Sequence, residues 1–207
     1  MTFEQVARIA AKPAWIGRAK MYSLYSGVKY VLSEGIAGDV VECGVAKGGS
    51  ALVLAAALAG TRRLWLYDTF EGLPKPSKAN PDYAKAMTKV GGCKGSMELV
   101  QGLLTKHGLR HRVLLVKGLY EQTLQCPGVD RIALLHVDCD WYESYMAVLN
   151  GLYDRVSPGG VVQFDDYGHW AGAKKAVDEF FKRRKVDPQL MVLDPPSGRL
   201  HIKERGE

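Results

Sequence analysis

The sequence has few cysteines, no long apolar run and no strong excess of one charge. Its four cysteines, Cys43, Cys93, Cys126 and Cys139, lie far apart and form no Cys-x-x-Cys pair, so we predict neither a disulfide framework nor a zinc site. This use of cysteine fits a reducing, cytoplasmic location. No apolar run approaches the roughly 20 residues of a membrane-spanning helix, and residues 1–12 do not resemble a signal peptide. We therefore expect no membrane partner.

The charge balance is only mildly basic. The 207 residues include 28 lysines and arginines against 22 aspartates and glutamates, a formal net charge of +6. Residues 182–185 alone supply four positive charges, and we interpret this run as a solvated helix end rather than a nucleic-acid patch. A chain of this length buries roughly 70% of its unfolded surface, so we predict one domain overall.

The order of the apolar segments predicts an α/β fold. We expect two helices in residues 1–37, followed in residues 38–207 by short apolar strands that alternate with helices. Strands that are apolar throughout are typical of a doubly wound, mostly parallel sheet with helices on both faces. Two short segments around a Pro-Pro-Ser-Gly turn predict a C-terminal hairpin. The N-terminal helices suit either a homodimer interface or a cap over a ligand site.

The predicted elements are short and closely spaced. Strands are expected at 39–43, 63–67, 113–116, 132–137, 161–164, 189–193 and 199–203. Helices are expected at 2–11, 15–33, 50–58, 144–156 and 171–185, and residues 157–160 are expected to end the fourth of them. Residues 71–98, rich in proline and glycine, fit no regular element apart from a short helix over 83–90. We predict a lid or substrate-binding insertion there, with a disordered surface loop as the alternative.

A glycine-rich turn follows the first predicted strand. The run from Glu42 through Gly44 to Ser50 opens a helix, where glycines let a ligand approach the backbone and helix N–H groups bind an anion. The run is neither a phosphate-binding P-loop nor a Gly-x-Gly-x-x-Gly dinucleotide motif. Asp68, at the end of the next strand, is placed to bind a ribose diol. Because Glu42 suits a sulfonium and an ammonium group, the unit favours S-adenosylmethionine over NAD.

Aspartates follow the fourth and fifth predicted strands. Asp138, Asp165 and Asp166 are expected to converge, which is unfavourable unless they are protonated or bind a cation. Oxygen ligands select Mg²⁺, so we predict these three as metal ligands. Alternation along the chain places Asp140 on the same side as Asp138, where it can act as general base.

The acceptor site is less well marked in the sequence. His169 and the adjacent Trp170 follow the second aspartate pair and are candidates for the acceptor pocket, and His169 is the alternative general base. Tyr142 is a further candidate for contact with the acceptor.

Five ordered runs within residues 38–182 resemble the macrocin O-methyltransferase family. They read VECGV from Val41, YDTFEGLP from Tyr67, KGLYEQTL from Lys117, VDCDWYES from Val137 and SPGGVVQFDDY from Ser157. The resemblance implies a Rossmann-like class I methyltransferase fold. It also implies metal-dependent methylation of sugar hydroxyls of macrolide and aminocoumarin antibiotics.

The resemblance also implies roles for individual residues. Asp138, Asp165 and Asp166 are implied to hold Mg²⁺, with Asp140 as the base. The implied cofactor residues are Glu42, Gly44, Ser50 and Asp68, with Gly118 and Tyr120 near the adenine.

The leading hypothesis is therefore a Mg²⁺-dependent O-methyltransferase that uses S-adenosylmethionine and a small-molecule hydroxyl acceptor. A phenolic, catechol-like acceptor is chemically equivalent to a sugar at the metal. The Asp138-Cys-Asp140 run also resembles the Asp-x-Asp of nucleotide-sugar glycosyltransferases. A non-enzymatic module that kept a cofactor-binding fold is the third alternative.

Overall fold

The computed structural model describes all residues from 1 to 207. The helices are α1 (Phe3–Ala10), α2 (Arg18–Ser33), α3 (Gly49–Ala57), α4 (Tyr83–Met87), α5 (Met97–Lys106), α6 (Tyr120–Thr123), α7 (Tyr142–Leu152) and α8 (Ala171–Arg184). The strands are β1 (Asp39–Cys43), β2 (Leu64–Asp68), β3 (Val113–Lys117), β4 (Ile132–Val137), β5 (Val156–Phe164), β6 (Met191–Asp194) and β7 (Gly198–Ile202).

All seven strands form one sheet in the order β3-β2-β1-β4-β5-β7-β6. Strands β1 to β5 run parallel, and β7 pairs antiparallel with both β5 and β6. The predicted α/β fold with a mostly parallel sheet and a C-terminal hairpin is confirmed. The strand order reverses between β1 and β4, and in such sheets this point, at the carboxyl ends of the strands, is where ligands bind.

Two hydrophobic cores lie on the two faces of the sheet. One contains residues of α7 and α8, and the other contains residues of α1, α2, α3 and α5. Thr2 caps α1 in a capping box with Gln5. The buried face of α2 carries Leu24, Val28 and Val31, so the N-terminal helices pack onto the same domain as the sheet.

The start of α2 differs from the prediction. The helix begins at Arg18 rather than at Trp15, because Gly17 has extended backbone angles, φ −69° and ψ 163°, and serves as its N-cap. Trp15 and Ile16 therefore belong to the loop between α1 and α2, where both line the main cavity.

The prediction for residues 157–160 was wrong. Helix α7 ends at Leu152, a single turn of 3-10 helix spans Tyr153–Arg155, and residues 157–160 lie inside β5. Gly159 N donates a hydrogen bond to Lys203 O at 2.8 Å, and Lys203 N donates to Gly160 O at 2.9 Å. These two hydrogen bonds to Lys203, directly after β7, keep residues 157–160 extended although they include proline and glycine. The pairing of β5 with β4 shifts register at this point.

The proline- and glycine-rich segment 71–98 is anchored to the domain. Leu73 N donates to Gly92 O, and Gly91 N donates to Leu73 O, both at 2.9 Å. The predicted helix over 83–90 is limited to α4, and α5 and α6 were not predicted. The start of α5 had a local signal, since the Ser96 hydroxyl accepts a hydrogen bond from Leu99 N at 3.2 Å.

No helix in the structure combines the length and the apolar character that crossing a membrane requires.

Candidate active site

A cavity of about 660 Å³ lies at the carboxyl ends of β1, β2, β4 and β5. Its walls come from the glycine turn, the segments after β2, β4 and β5, the segment 71–98 and the N-terminal region. The predicted site residues that line it are Gly44, Asp68, Tyr120, Asp138, Asp140, Asp165, Asp166 and His169. The topology thus brings residues that are up to 125 positions apart in the chain into one cavity.

Gly44, in the glycine turn, packs directly against the backbone of Asp138. Its φ is +94°, and a Cβ at this position would lie 1.6 Å from the carbonyl oxygen of Asp138. No other residue fits such an approach, because any side chain would overlap the backbone of the neighbouring segment. Gly48, with φ +82°, then serves as the N-cap of α3.

Asp68 holds the glycine turn in shape. Its Oδ2 accepts hydrogen bonds from Val45 N at 2.6 Å and Ala46 N at 3.1 Å, while its Oδ1 accepts one from Phe70 N at 2.7 Å. Ala46 has a φ of +45°, a strained value for a residue with a side chain, and these bonds help to maintain it. The carboxylate predicted to bind a ribose is thus also the residue that positions the turn.

The turn after β4 orients Asp140. Strand β4 ends at Val137, so the predicted strand alternation from Asp138 to Asp140 was wrong. Asp140 instead has a left-handed backbone, with φ +59°. Its N–H donates to Asp166 Oδ2 at 3.0 Å, and its Oδ1 accepts a hydrogen bond from the Trp170 indole at 2.7 Å. A turn, rather than a strand, directs this carboxylate into the cavity.

Lys20, Glu42, His136 and Asp165 form a buried cluster, of which Lys20 and Asp165 line the cavity. Lys20 Nζ lies 2.6 Å from Asp165 Oδ2, and both side chains are less than a tenth exposed. His136 Nδ1 lies 3.0 Å from Glu42 Oε1, and its Nε2 lies 3.6 Å from Asp165 Oδ1. Each buried charge therefore has a partner of opposite sign, which is the condition under which burial of charges is tolerated.

The pKa values of this cluster follow from burial and pairing. Burial alone would lower the pKa of His136, but the adjacent carboxylates of Asp165 and Glu42 outweigh it and raise the pKa to about 9. Burial would raise the pKa of Asp165, whereas His136 and Lys20 hold it below its ordinary value. At neutral pH the His136 ring is therefore an imidazolium that lies beside an ionised Asp165.

Asp138, Asp140 and Asp166 differ from Asp165, because their pKa values are raised. Burial, followed by the charges of the neighbouring aspartates, raises the pKa of Asp138 and of Asp166 well above the ordinary value. Burial also raises the pKa of Asp140 to about 6, although the hydrogen bond from Trp170 acts against it. Carboxyl groups that repel one another in this way gain from a bound cation.

His136, Asp138 and Asp165 each offer one atom that can bind a metal, and these three atoms lie within 4.8 Å of one another. Asp138 and Asp165 belong to the predicted metal set, whereas His136 was not predicted. Asp166, the third predicted ligand, lies next to Asp165, and its Oδ2 also accepts a hydrogen bond from the Tyr145 hydroxyl at 3.2 Å. Asp165 Oδ1 and His136 Nε2 are buried without a hydrogen-bond partner.

Four predicted site residues do not line this cavity. Glu42 is fully buried in β1 and faces His136, and Ser50 is buried in the first turn of α3. The Tyr142 hydroxyl donates to Glu179 on α8 at 2.7 Å. Gly118 lies in an adjoining groove.

Lys20 and His136 were not predicted as site residues. Both had a signal in the sequence, because each is a polar residue on an otherwise buried apolar face. Lys20 lies on the face of α2 that carries Leu24, and His136 interrupts the fully buried run of β4. Long charged side chains are almost never buried unless they are paired.

Residues 8–197 match the family described as Macrocin-O-methyltransferase (TylF). The 8-demethyl-8-(2,3-dimethoxy-alpha-L-rhamnosyl)-tetracenomycin-C 4'-O-methyltransferase of Streptomyces olivaceus is 32% identical over 187 residues, which cover 86% of this chain and 71% of that protein. The Mycinamicin III 3''-O-methyltransferase of Micromonospora griseorubida is 30% identical over 190 residues, with coverage of 86% and 74%.

The fold also matches that of a solved O-methyltransferase. The structure of NovP superimposes with a TM-score of 0.88 and 28% sequence identity, and the match covers 93% of this chain and 83% of that one. The family match extends over most of the chain and includes the glycine turn and all the cavity aspartates. This chain belongs to the macrocin O-methyltransferase family and is an O-methyltransferase.

Proposed function

We propose that this protein transfers a methyl group from S-adenosylmethionine to a sugar hydroxyl of a natural product and that the reaction requires Mg²⁺. The observation that carries the proposal is the meeting of the glycine turn with Asp138, Asp140, Asp165 and Asp166 in one cavity. The names of the two relatives, which act on a rhamnosyl tetracenomycin and on mycinamicin III, support a natural-product acceptor. The unpaired cysteines suit a cytoplasmic enzyme.

The glycine-turn side of the cavity suits S-adenosylmethionine. Gly44 leaves the backbone open to a ligand, Asp68 fixes the turn, and Tyr120 lines the adjoining wall. The carboxylates along this side complement the positive charges of the cofactor, and the N-terminus of α3 complements its carboxylate. When bound, this cofactor supplies an electrophilic methyl group on a sulfonium. We assign Glu42 and Ser50 to supporting this wall from behind, because both are buried.

The aspartate side of the cavity fits a divalent cation. Asp165 Oδ1 lacks a hydrogen-bond partner. The pKa values of Asp138 and Asp166 are raised by burial and by the charges of neighbouring aspartates, and a cation relieves that repulsion. We assign Asp138, Asp165 and Asp166 as ligands, since three carboxylates are a hard oxygen set that suits Mg²⁺. His136 lies between two carboxylates and serves as a cationic neighbour. When bound, Mg²⁺ supplies positive charge that makes an acceptor hydroxyl more acidic.

Asp140 is the proposed general base. Its Oδ1 is engaged by Trp170, so its Oδ2 is available to accept the hydroxyl proton as the oxygen attacks the methyl carbon. A pKa of about 6 leaves the carboxylate ionised at neutral pH while keeping it a useful proton acceptor. With the cofactor bound, Asp140 would hold the proton that the acceptor hydroxyl loses on methylation. His169 is the alternative base, and its pKa is lowered by burial and by the charges of Lys85 and Lys20.

The test is methyl transfer from isotopically labelled S-adenosylmethionine to a panel of rhamnosides, free sugars and catechols in the presence of Mg²⁺. Labelled product from a sugar supports the proposal, and product from catechols alone moves the acceptor to the phenolic class. Transfer to no acceptor, in a protein that binds the cofactor, would count against an enzymatic role. A parallel reaction with nucleotide-sugar donors tests the glycosyltransferase alternative.

A further inference from the structure

Two of the three proposed metal ligands have one carboxylate oxygen already engaged by the protein. In Asp165 and in Asp166 the engaged atom is Oδ2, which accepts from Lys20 in the first case and from Asp140 N in the second. A carboxylate held in this way can offer only its other oxygen to a cation. The number of oxygens that each ligand can offer bears on which divalent cation the site accepts.

Lys20 holds Asp165 Oδ2 through a buried contact. Its ammonium donates to Oδ2 at 2.6 Å and to the Asp165 carbonyl oxygen at 3.0 Å, and the lysine side chain is less than a tenth exposed. The stem of the lysine passes beside Gly198, where an added Cβ would lie 3.2 Å from Lys20 Cε. The ammonium is thus bound by two oxygens of one residue and enclosed by the fold.

The other oxygen of Asp165 remains without a hydrogen bond. Oδ1 is buried and unpartnered, and His136 Nε2 lies 3.6 Å from it, which exceeds the length of a hydrogen bond. One ligand atom of Asp165 also lies within 4.8 Å of one of Asp138. Oδ1 is therefore the oxygen that Asp165 has left for a cation.

Asp166 repeats this arrangement with different partners. Asp140 N donates to its Oδ2 at 3.0 Å, and the hydroxyl oxygen of the fully buried Tyr145 lies 3.2 Å from the same atom. Both contacts go to Oδ2, so Oδ1 is the oxygen left to Asp166. Helix α2 in one case, and the turn after β4 together with α7 in the other, restrict the two aspartates in the same way.

We propose that Lys20 is a positioning residue that limits Asp165 to one metal-binding oxygen and thereby favours Mg²⁺ over Ca²⁺. Mg²⁺ requires a near-octahedral set of oxygens, whereas Ca²⁺ takes more oxygens and often binds both oxygens of a carboxylate. With Asp165 and Asp166 restricted, two of the three carboxylates cannot bind a cation through both oxygens. The inference rests on the proposed function, because it takes these two residues and Asp138 as the ligands.

A purely electrostatic role of Lys20 has a different consequence. A positive charge repels every divalent cation alike, so its removal would strengthen the binding of Mg²⁺ and of Ca²⁺ by the same factor. Release of Asp165 Oδ2 favours Ca²⁺ in particular, because this ion can use the additional oxygen. The ratio of the two dissociation constants, rather than either one, therefore separates the two roles.

The experiment measures that ratio in the cofactor-bound protein. Metal-free protein is saturated with S-adenosylhomocysteine and titrated calorimetrically with magnesium chloride and, separately, with calcium chloride. The same titrations use Lys20→Met and the control Arg18→Met, which removes the same charge from an exposed pair with Glu4. Binding of S-adenosylhomocysteine with an unchanged Kd verifies that each variant is folded.

We expect the parent to bind Mg²⁺ at least about tenfold more tightly than Ca²⁺, and the preference to fall at least about fivefold in Lys20→Met. Arg18→Met is expected to keep the parent ratio within about twofold, because its charge lies outside the cavity. An equal change for both ions in Lys20→Met, or Ca²⁺ binding as tightly as Mg²⁺ in the parent, would overturn the inference.

A crystal structure of the parent with Mn²⁺, which suits the same oxygen ligands, tests the inference without any variant. Lys20 Nζ is expected to stay on Asp165 Oδ2 while the metal contacts Oδ1 alone. Contact of the metal with both oxygens of Asp165, or displacement of Lys20, would overturn the inference even if Lys20→Met does not fold. Failure of S-adenosylhomocysteine, or of both cations, to bind the parent would instead contradict the proposed function.

Discussion

The Trp170 indole N–H donates a hydrogen bond to Asp140 Oδ1 at 2.7 Å. Trp170 is almost fully buried and packs edge-on against Trp141 at a centroid distance of 5.0 Å. Because Asp140 lies in a turn with positive φ, its carboxylate has no strand to fix its direction. The buried indole supplies that direction through Oδ1, and we propose that the second carboxylate oxygen faces the acceptor.

We predict that Trp170→Phe lowers kcat by about 10- to 100-fold, because the substitution keeps the ring packing but removes the hydrogen-bond donor. The Kd of S-adenosylmethionine is expected to change by less than about threefold, since we propose that the cofactor binds on the glycine-turn side of the cavity. Steady-state kinetics and calorimetry measure the two effects. Equal loss in kcat and in cofactor affinity would indicate a general structural role instead.

Asp140→Asn is expected to abolish turnover. The amide keeps the size of the side chain and its acceptor for the Trp170 indole, but it cannot take a proton at neutral pH, so a loss of roughly 10²- to 10⁴-fold follows. Cofactor binding, measured by calorimetry, is expected to be nearly unchanged. Survival of turnover would exclude Asp140 as the base and favour His169.

Removal of Lys20 is expected to destabilise the protein. Lys20→Met leaves the buried carboxylate of Asp165 with one cationic neighbour instead of two, and breaking a buried ion pair costs about 3 kcal/mol or more. The matched control is Arg18→Met two residues earlier, whose pair with Glu4 is exposed and contributes at most about 1 kcal/mol. Urea unfolding in the presence of a chelator measures both, and equal effects would contradict the account.

The stability of the metal-free protein is expected to depend on His136. Its folded pKa of about 9 lies above the unfolded value of about 6.5. The contribution of His136 to the free energy of unfolding is therefore complete below pH 6.5 and is lost as the pH rises through 9. The shift corresponds to about 3 kcal/mol at most. Urea unfolding across this pH range is expected to show this loss of stability in the parent protein but not in His136→Asn. The same pH dependence in both proteins would contradict the prediction.

The sequence predicted the sheet because the strands are apolar throughout and the turns after them carry glycine or aspartate. It also predicted which aspartates meet, since the carboxyl ends of adjacent parallel strands lie at one edge. The direction of Asp140 could not be predicted, because strand periodicity ends at Val137 and a single left-handed residue decides the geometry. The path of residues 157–160 was missed for a similar reason, since long-range pairing with Lys203 overrides the local turn signal.

The contribution of Lys20 to stability depends on a tertiary contact alone. A lysine on an apolar helix face indicates a buried partner. The sequence does not identify that partner, which is a carboxylate 145 positions away. The same holds for His136, whose two nitrogens face carboxylates from β1 and from the end of β5. Polar residues that interrupt buried faces are therefore the best sequence signal for the part of this site that was missed.

The most direct test of the account is calorimetric titration of the purified protein with S-adenosylmethionine, with and without Mg²⁺. We predict binding with a Kd on the order of micromolar, about −8 kcal/mol, that persists in Asp140→Asn, and a separate Mg²⁺ binding event that is lost in Asp138→Asn. Absence of cofactor binding under both conditions, in a protein whose folded state is verified by circular dichroism, would contradict the central claim that the glycine turn and the aspartates form one methyl-transfer site.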